Sequence, residues 1–425
     1  MSNPKMRTLL LCSFLFVTSL VIAKAGLTWT RGNDEAEDKV AAQTESSEHV
    51  AHFDHMKHLD KLKDNEARIR VHAERLAERI AGIEVAIESS DFDFDHNFEH
   101  NGDGELMIRK EFKVSEGGEL TVNVPGADVE VVSTSSDRVE VLVFLDAQDM
   151  DKARNYFEDL EFEVGSSGNK VYVKARSADK DRWGWNRHGH AQILVRASIP
   201  RVFDADVSTS GGDISVEQLE GVLNVATSGG DIQLGSIEGR EMNVTTSGGD
   251  IDAGRLAGGV VKLTTSGGDI ELGAVTGPEI VVRTSGGDID AGKLDGDQVD
   301  VRTSGGDIAL GGVTGRSIVK TSGGDIEIGA MDGELDASTS GGDIEVRMLR
   351  SASLSLSTTG GSIEILGPSD LAANVDLRAS EVVVEGSVKI QGTVKKDKVD
   401  GQLNGGGPTI SAVSSGGEVL LALNQ

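Results

Sequence analysis

The sequence predicts an all-β chain whose main body is a parallel β-solenoid of about ten coils of 18–19 residues. Three observations predict it. The phrase Thr-Ser-Gly-Gly-Asp-Ile occurs letter for letter from Thr209, Thr227, Thr246, Thr265, Thr284, Thr303, Thr321 and Thr339, each copy 18 or 19 residues after the last. Between copies the residues alternate apolar and polar, as in Ile232 to Leu234 and Met242 to Val244, which is the period of a strand with one buried face. Glycines recur at fixed places, such as Gly235 and Gly239, too often for helices and where a coil must turn or backbones must stack closely. Such short-period self-similarity marks a solenoid, in which each unit covers its apolar side only with its neighbours. Ile214, Ile232, Ile251, Ile270, Ile289, Ile308, Ile326 and Ile344 are therefore expected in one internal file. At the usual strand spacing, ten coils make a core about 50 Å long.

The elements before the repeats follow in order. Residues 1–25 read as a secretory signal: Lys5 and Arg7, an apolar run from Thr8 to Ala23, and the small-x-small site Ala23-Lys24-Ala25. The alternative is an uncleaved anchor of marginal spanning length. Cys12, the single cysteine, lies inside the apolar run, so cleavage leaves none. The expected location is the periplasm, outer membrane or cell surface. Residues 26–47 form an acidic linker. In 48–90, Leu59, Leu62, Ile69, Ala73, Leu76, Ile80, Ile83 and Ile87 recur mostly at three- and four-residue steps, an amphipathic helix with a heptad seam. It is expected either to join copies into a homo-oligomer as a coiled coil or to pack singly on the β region.

One histidine cluster lies on the first part of that helix and a second follows it. His49, His52, His55 and His58 are spaced so that neighbouring imidazoles lie on one helix side, within reach of a shared zinc or other transition-metal ion. His96 and His100 sit among carboxylates in a His-rich, acidic linker over 91–110, whose spacing does not fit a calcium loop. Both clusters are candidate metal sites, with solvated polar surface as the alternative.

Residues 111–203 read as a β-rich cap: strands at Leu120 to Val124, Val129 to Val132, Val139 to Phe144, Val171 to Val173 and Ile193 to Ile199, and a helix from Met150 to Leu160. A cap closes the otherwise open end of a solenoid. Its loop carries Arg182, Trp183, Trp185 and Arg187, residue types that dominate binding hot spots, so these are candidate partner-binding residues. The alternative is a hairpin whose tryptophans fold back over the cap. Repeats occupy 204–366. Over 367–425 the coils degenerate, with a lysine-bearing hairpin from Val394 to Val399 and a last corner at Ser415-Gly416-Gly417-Glu418-Val419.

The repeats place Asp213, Asp231, Asp250, Asp269, Asp288, Asp307, Asp325 and Asp343 in a ladder. At strand spacing, neighbouring carboxylates repel by about 0.9 kcal/mol in bulk water. A charge-assisted hydrogen bond from a turn N–H gains about 1.5–3 kcal/mol, enough to hold a structural ladder. Bridging by calcium is the functional alternative.

Net charge of −29 argues against nucleic acid and anionic membranes as partners. An enzyme is not expected, nor a resident cofactor. Phe203 is the last aromatic residue, no histidine follows it, and the acids are spread one per coil instead of converging.

Repeating Thr-Ser-Gly-Gly-Asp-Ile coils behind a β region ending in Ser198-Ile199-Pro200 resemble the bacterial cell-envelope domain family called "putative adhesin", from about Glu111 to Gln425. The resemblance implies a β-solenoid in an envelope protein and brings no set of binding residues. The expected function is a non-enzymatic adhesin or scaffold with a macromolecular partner at the surface or in the envelope. The alternative is a periplasmic sensor or scavenger of metal ions or cationic peptides.

Overall fold

In the computed structural model, the described residues are 104–177 and 191–424. The expected signal, the 26–47 linker and the 48–90 helix lie outside them. Among the described residues, alternating apolar residues form the strands, and every strand belongs to one continuous sheet wound into a parallel β-solenoid.

The described part begins with β1 (Glu105–Lys113), β2 (Gly118–Asn123), β3 (Asp128–Thr134) and β4 (Arg138–Asp146), then α1 (Met150–Asp159). β1 starts within the stretch read from sequence as linker, because Met107, Ile108 and Phe112 give it partial apolar cover against the core. Asp149 caps α1 by accepting the Lys152 N–H at 3.2 Å, and Phe157 from its buried face stacks on Phe162 with centroids 4.8 Å apart. Next come β5 (Leu160–Ser167), β6 (Lys170–Ser177), β7 (Gln192–Pro200), β8 (Phe203–Ser208) and β9 (Ile214–Glu220).

The regular part runs through β10 (Leu223–Ala226), β11 (Ile232–Thr245), β12 (Ile251–Thr264), β13 (Ile270–Thr276), β14 (Glu279–Arg283), β15 (Ile289–Arg302), β16 (Ile308–Lys320), β17 (Ile326–Ser338), β18 (Ile344–Met348), β19 (Leu354–Thr358) and β20 (Ile363–Pro368). Each storey pairs in parallel with the next along two ladders. One ladder contains the expected isoleucine file: Ile214, Ile232, Ile251, Ile270, Ile289, Ile308, Ile326, Ile344 and Ile363 pair in unbroken succession, each 0–1 % exposed. The other carries Leu223, Met242, Val261, Ile280 and Val299 in succession, all buried.

Close stacking at the corner excludes any side chain on the phrase's second glycine. A Cβ on Gly268 would lie 2.0 Å from the Gly249 carbonyl oxygen, and one on Gly287 2.1 Å from that of Gly268. Backbone meets backbone there, so nothing can give way.

At both ends the spatial order departs from the sequence order. The β2–β3 coil lies between the β6–β7 coil and the β8–β9 coil, pairing with both. After β20 come β21 (Ala373–Arg378), β22 (Glu381–Glu385), β23 (Ile390–Lys395), β24 (Lys398–Leu403), β25 (Thr409–Ser414) and β26 (Glu418–Asn424). Here β25 and β26 pair with β19 and β20 on one side and with β21 and β22 on the other, so the last coil in sequence fills the storey beneath the one before it. The β23–β24 hairpin packs antiparallel on β21, and at the opposite end β4 and β5 do the same on β7 and β6.

One residue breaks the second apolar file. Ser317 pairs between Val299 and Leu335, is 1 % exposed, and its hydroxyl has no hydrogen-bond partner. Leaving such a group unsatisfied costs about 1–3 kcal/mol. Replacing Ser317 by Val, the residue one storey back, is expected to raise stability by about 1–2 kcal/mol. An unmoved or lowered urea midpoint would refute this reading.

Candidate functional site: the aspartate corner and the acidic file

The repeated phrase builds one corner per storey, and its side chains bond mainly between storeys. Thr265 is buried. Its Oγ1 donates to the Gly249 carbonyl at 2.8 Å and accepts the Gly268 N–H at 3.4 Å. Thr227, Thr246, Thr284, Thr303, Thr321 and Thr339 repeat both contacts. A hydroxyl both donates and accepts, which is why the site takes threonine and not valine.

Each aspartate then ties its storey to the next. The Asp231 N–H donates to Asp213 Oδ1 at 2.8 Å, Asp250 to Asp231 at 2.8 Å, and Asp269 to Asp250 at 2.8 Å. The chain of bonds continues through Asp288, Asp307, Asp325 and Asp343 at 2.7–2.8 Å. It begins earlier than the sequence reading had it. Asp213 donates its N–H to Asp128 Oδ1 at 2.9 Å, so Gly126-Ala127-Asp128-Val129 is a worn copy of the phrase inside the cap. It ends on hydroxyls: the Ser362 N–H donates to Asp343 Oδ1 at 2.6 Å, and the Glu418 N–H to Ser362 Oγ at 3.2 Å.

A backbone N–H on each carboxylate offsets the repulsion between stacked charges. At Asp213 burial nonetheless prevails and raises the carboxyl pKa, against the Asp231 N–H and with help from the Asp231 charge. The other carboxylates of the phrase, from Asp231 to Asp343, are exposed along the corner.

A second acidic file, not singled out from the sequence, lies two residues further on. Pairing stacks Asp252, Glu271 and Asp290, then, after Ala309, Glu327, Glu345 and Glu364 on the outer face of the isoleucine ladder. Its signal was the acid that follows isoleucine in Asp-Ile-Asp and Asp-Ile-Glu. Asp252 is its most perturbed member: burial first, then the charges of Glu271, Asp250 and Asp231, push its pKa up to about 6. The other ladder differs. There Arg302 and Arg283 grip Asp300 at 2.5 and 2.6 Å; burial raises its carboxyl, but the two guanidiniums hold it below the usual range.

The remaining expected site residues are not among the described ones: His49, His52, His55, His58, His96 and His100 precede residue 104, and Arg182, Trp183, Trp185 and Arg187 fall within 178–190. Among the described residues, no three His, Cys, Asp or Glu converge as metal ligands would. The arrangement presents negative charge at a regular interval and holds storeys together.

Two outcomes are expected. Asp269→Asn keeps an acceptor for the Asp288 N–H while removing one charge from the ladder, so its urea midpoint should stay close to the parent's; Asp269→Ala should lose about 1–3 kcal/mol. Equal losses in both, with calcium raising the urea midpoint of the parent alone, would favour cation bridging instead. For Asp252 the folded pKa of about 6 lies above the ordinary carboxylate value near 4. The folded state therefore disfavours the ionised form, and stability falls as pH rises through that window. Asp252→Asn should raise the midpoint at pH 7.5 and change it little at pH 4, and the reverse pattern would contradict the assignment.

Comparison with known proteins adds the following. The chain is similar to a putative adhesin from Parabacteroides merdae, at 16 % identity over 62 % of this chain and 97 % of that one, with a TM-score of 0.35. A putative adhesin from Parabacteroides distasonis matches at 14 % identity over 76 % and 98 %, TM-score 0.30. A putative lipid binding protein from the same species matches at 14 % over 75 % and 98 %, TM-score 0.26. At these scores none of the three bears on function. No curated protein matches. A family model described as Toastrack DUF4097 matches residues 118–312 and 278–421, together most of the chain and every storey with the phrase. The chain belongs to the Toastrack DUF4097 family.

Proposed function

We propose that the chain is a non-enzymatic, exported protein of the cell envelope, an adhesin or scaffold that engages its partner through the repeated side of the solenoid. The observation that carries this is the even spacing of carboxylates. Asp252, Glu271, Asp290, Glu327, Glu345 and Glu364 stand in register on one face, and the aspartate corner runs beside them. An active site gathers unlike groups around one reacting atom. A file of like groups instead suits a partner that is itself extended and cationic, since charge complementarity over a surface steers association and selects partners.

The same file favours a second reading, a periplasmic scavenger of cationic peptides or metal ions, which would need the same acids and no surface exposure. Protease treatment of intact cells and co-sedimentation of the purified full chain with isolated envelopes separate the two. The adhesin or scaffold reading expects cleavage on intact cells and co-sedimentation that drops several-fold in the variant Glu271→Gln/Asp290→Asn/Glu327→Gln/Glu345→Gln. Protection from protease together with a chain that stays in the supernatant would overturn it, and release of metal from the purified protein would then favour the scavenger.

A further inference from the structure

The C-terminal coil sits in a slot whose walls are built without it. β19 and β20 form one wall and β21 and β22 the other, joined to each other through residues 369–372. Between them β25 pairs with β19 and β21, and β26 with β20 and β22, so the insert is bonded along both edges of both strands. Ile410, Ala412, Val419 and Leu421 point inward and are fully buried. Its corner is set by Ser414, whose Oγ donates to the Gly361 carbonyl at 2.6 Å and accepts the Gly417 N–H at 2.8 Å.

The segment Asn404-Gly405-Gly406-Gly407-Pro408 ties the insert to β24. Asn404, Gly405 and Gly406 are consecutive residues in the left-handed region, with φ of 48°, 97° and 84°. Glycine meets that geometry and a more extended one at little cost, so this segment can reverse the chain or let it run on. The contacts that fix the insert are to neighbouring storeys and do not depend on which molecule supplies it.

We propose that this slot is an exchange site between two copies of the chain. The C-terminal coil, 409–424, of each copy occupies the slot of the other, with the 404–408 segment opened into a bridge. The slot selects its occupant by chemistry: two short strands with inward aliphatics, joined by a Ser-Ser-Gly-Gly corner whose glycine fits against the Gly361 carbonyl. A second copy carries that segment by definition, and the exchanged interface repeats the one already formed within a single chain. This inference is independent of the adhesin reading, because it concerns how copies join and not what their sides contact.

A disulfide reporter tests it. Ser355 and Ser411 face each other across β19 and β25 on the outer side. In the full chain carrying Cys12→Ser, the pair Ser355→Cys and Ser411→Cys would cross-link within one molecule when the coil closes at home, and between two molecules when it is exchanged. Samples are partly unfolded in urea, returned to buffer at rising protein concentration and oxidised. A covalent dimer on a non-reducing denaturing gel, increasing with concentration, is the expected result. Deleting Gly405 and Gly406 shortens the bridge, disfavours closure at home and should raise the dimer fraction above the parent's by light scattering. Intramolecular cross-links alone at every concentration would overturn the proposal, whether or not the shortened chain folds, and a shortened chain that folds as a monomer would overturn it too.

Discussion

The structure depends on the direct stacking of one backbone corner on the next. A second-glycine carbonyl lies where the next storey's Cβ would be, at about 2 Å in every regular coil, so the phrase must contain glycine there. Once the corners are that close, the rest of the phrase follows. Threonine reaches back to the carbonyl of the storey beneath, aspartate receives the N–H of the storey above, and isoleucine falls into the internal file. Each demand is between storeys, so a single coil satisfies none of them. That is the physical meaning of a repeat whose unit cannot fold alone.

The same constraint explains what could be read from the sequence. The isoleucine file, the apolar alternation and the β-rich cap were legible because eight identical phrases fix the register and a period-two pattern fixes which side is buried. Asp128 was not legible, since Gly126-Ala127-Asp128-Val129 is a single altered copy with no regular interval to reveal it. Nor was the order of storeys at the two ends. Every coil offers its neighbours nearly the same edge, so pattern alone cannot say that β25 and β26 lie beneath β21 and β22. The acidic file was visible letter by letter and escaped notice because its members vary between Asp and Glu and lapse at Ala309.

A stack of identical edges also invites further stacking, and the ends show how it is stopped. At one end the strands turn antiparallel, with β4 and β5 laid over β7 and β6, and Lys110 Nζ donates to the Val164 carbonyl at 2.7 Å, occupying a group that another strand would need. At the other, the outer strand β23 is exposed along most of its length and ends in Lys395, with Lys396 in the turn beyond and Lys398 opening β24. β22 is short and flanked by Glu381 and Glu385. Charge on a strand edge and short edge strands both discourage pairing with another molecule. Open growth along the axis is thus opposed at the surface, while the slot for the last coil lies one storey in, beneath that protection.

Distribution of charge follows from the same architecture and bears on function. With one phrase per storey, any acid the phrase contains is copied at strand spacing, and repulsion between copies has to be met by a donor. For the corner aspartates the donor is internal, the next N–H, so their charge is tolerated wherever the phrase is repeated. In the outer file, burial first and then the charges of Glu271, Asp250 and Asp231 leave Asp252 with a carboxyl that ionises only near pH 6. A fold that needed position 252 only for its own stability would do better with the amide or hydroxyl seen at Gln233 and Ser215 in the same file. An acid kept at Asp252 in spite of that cost fits the extended cationic partner proposed for this face.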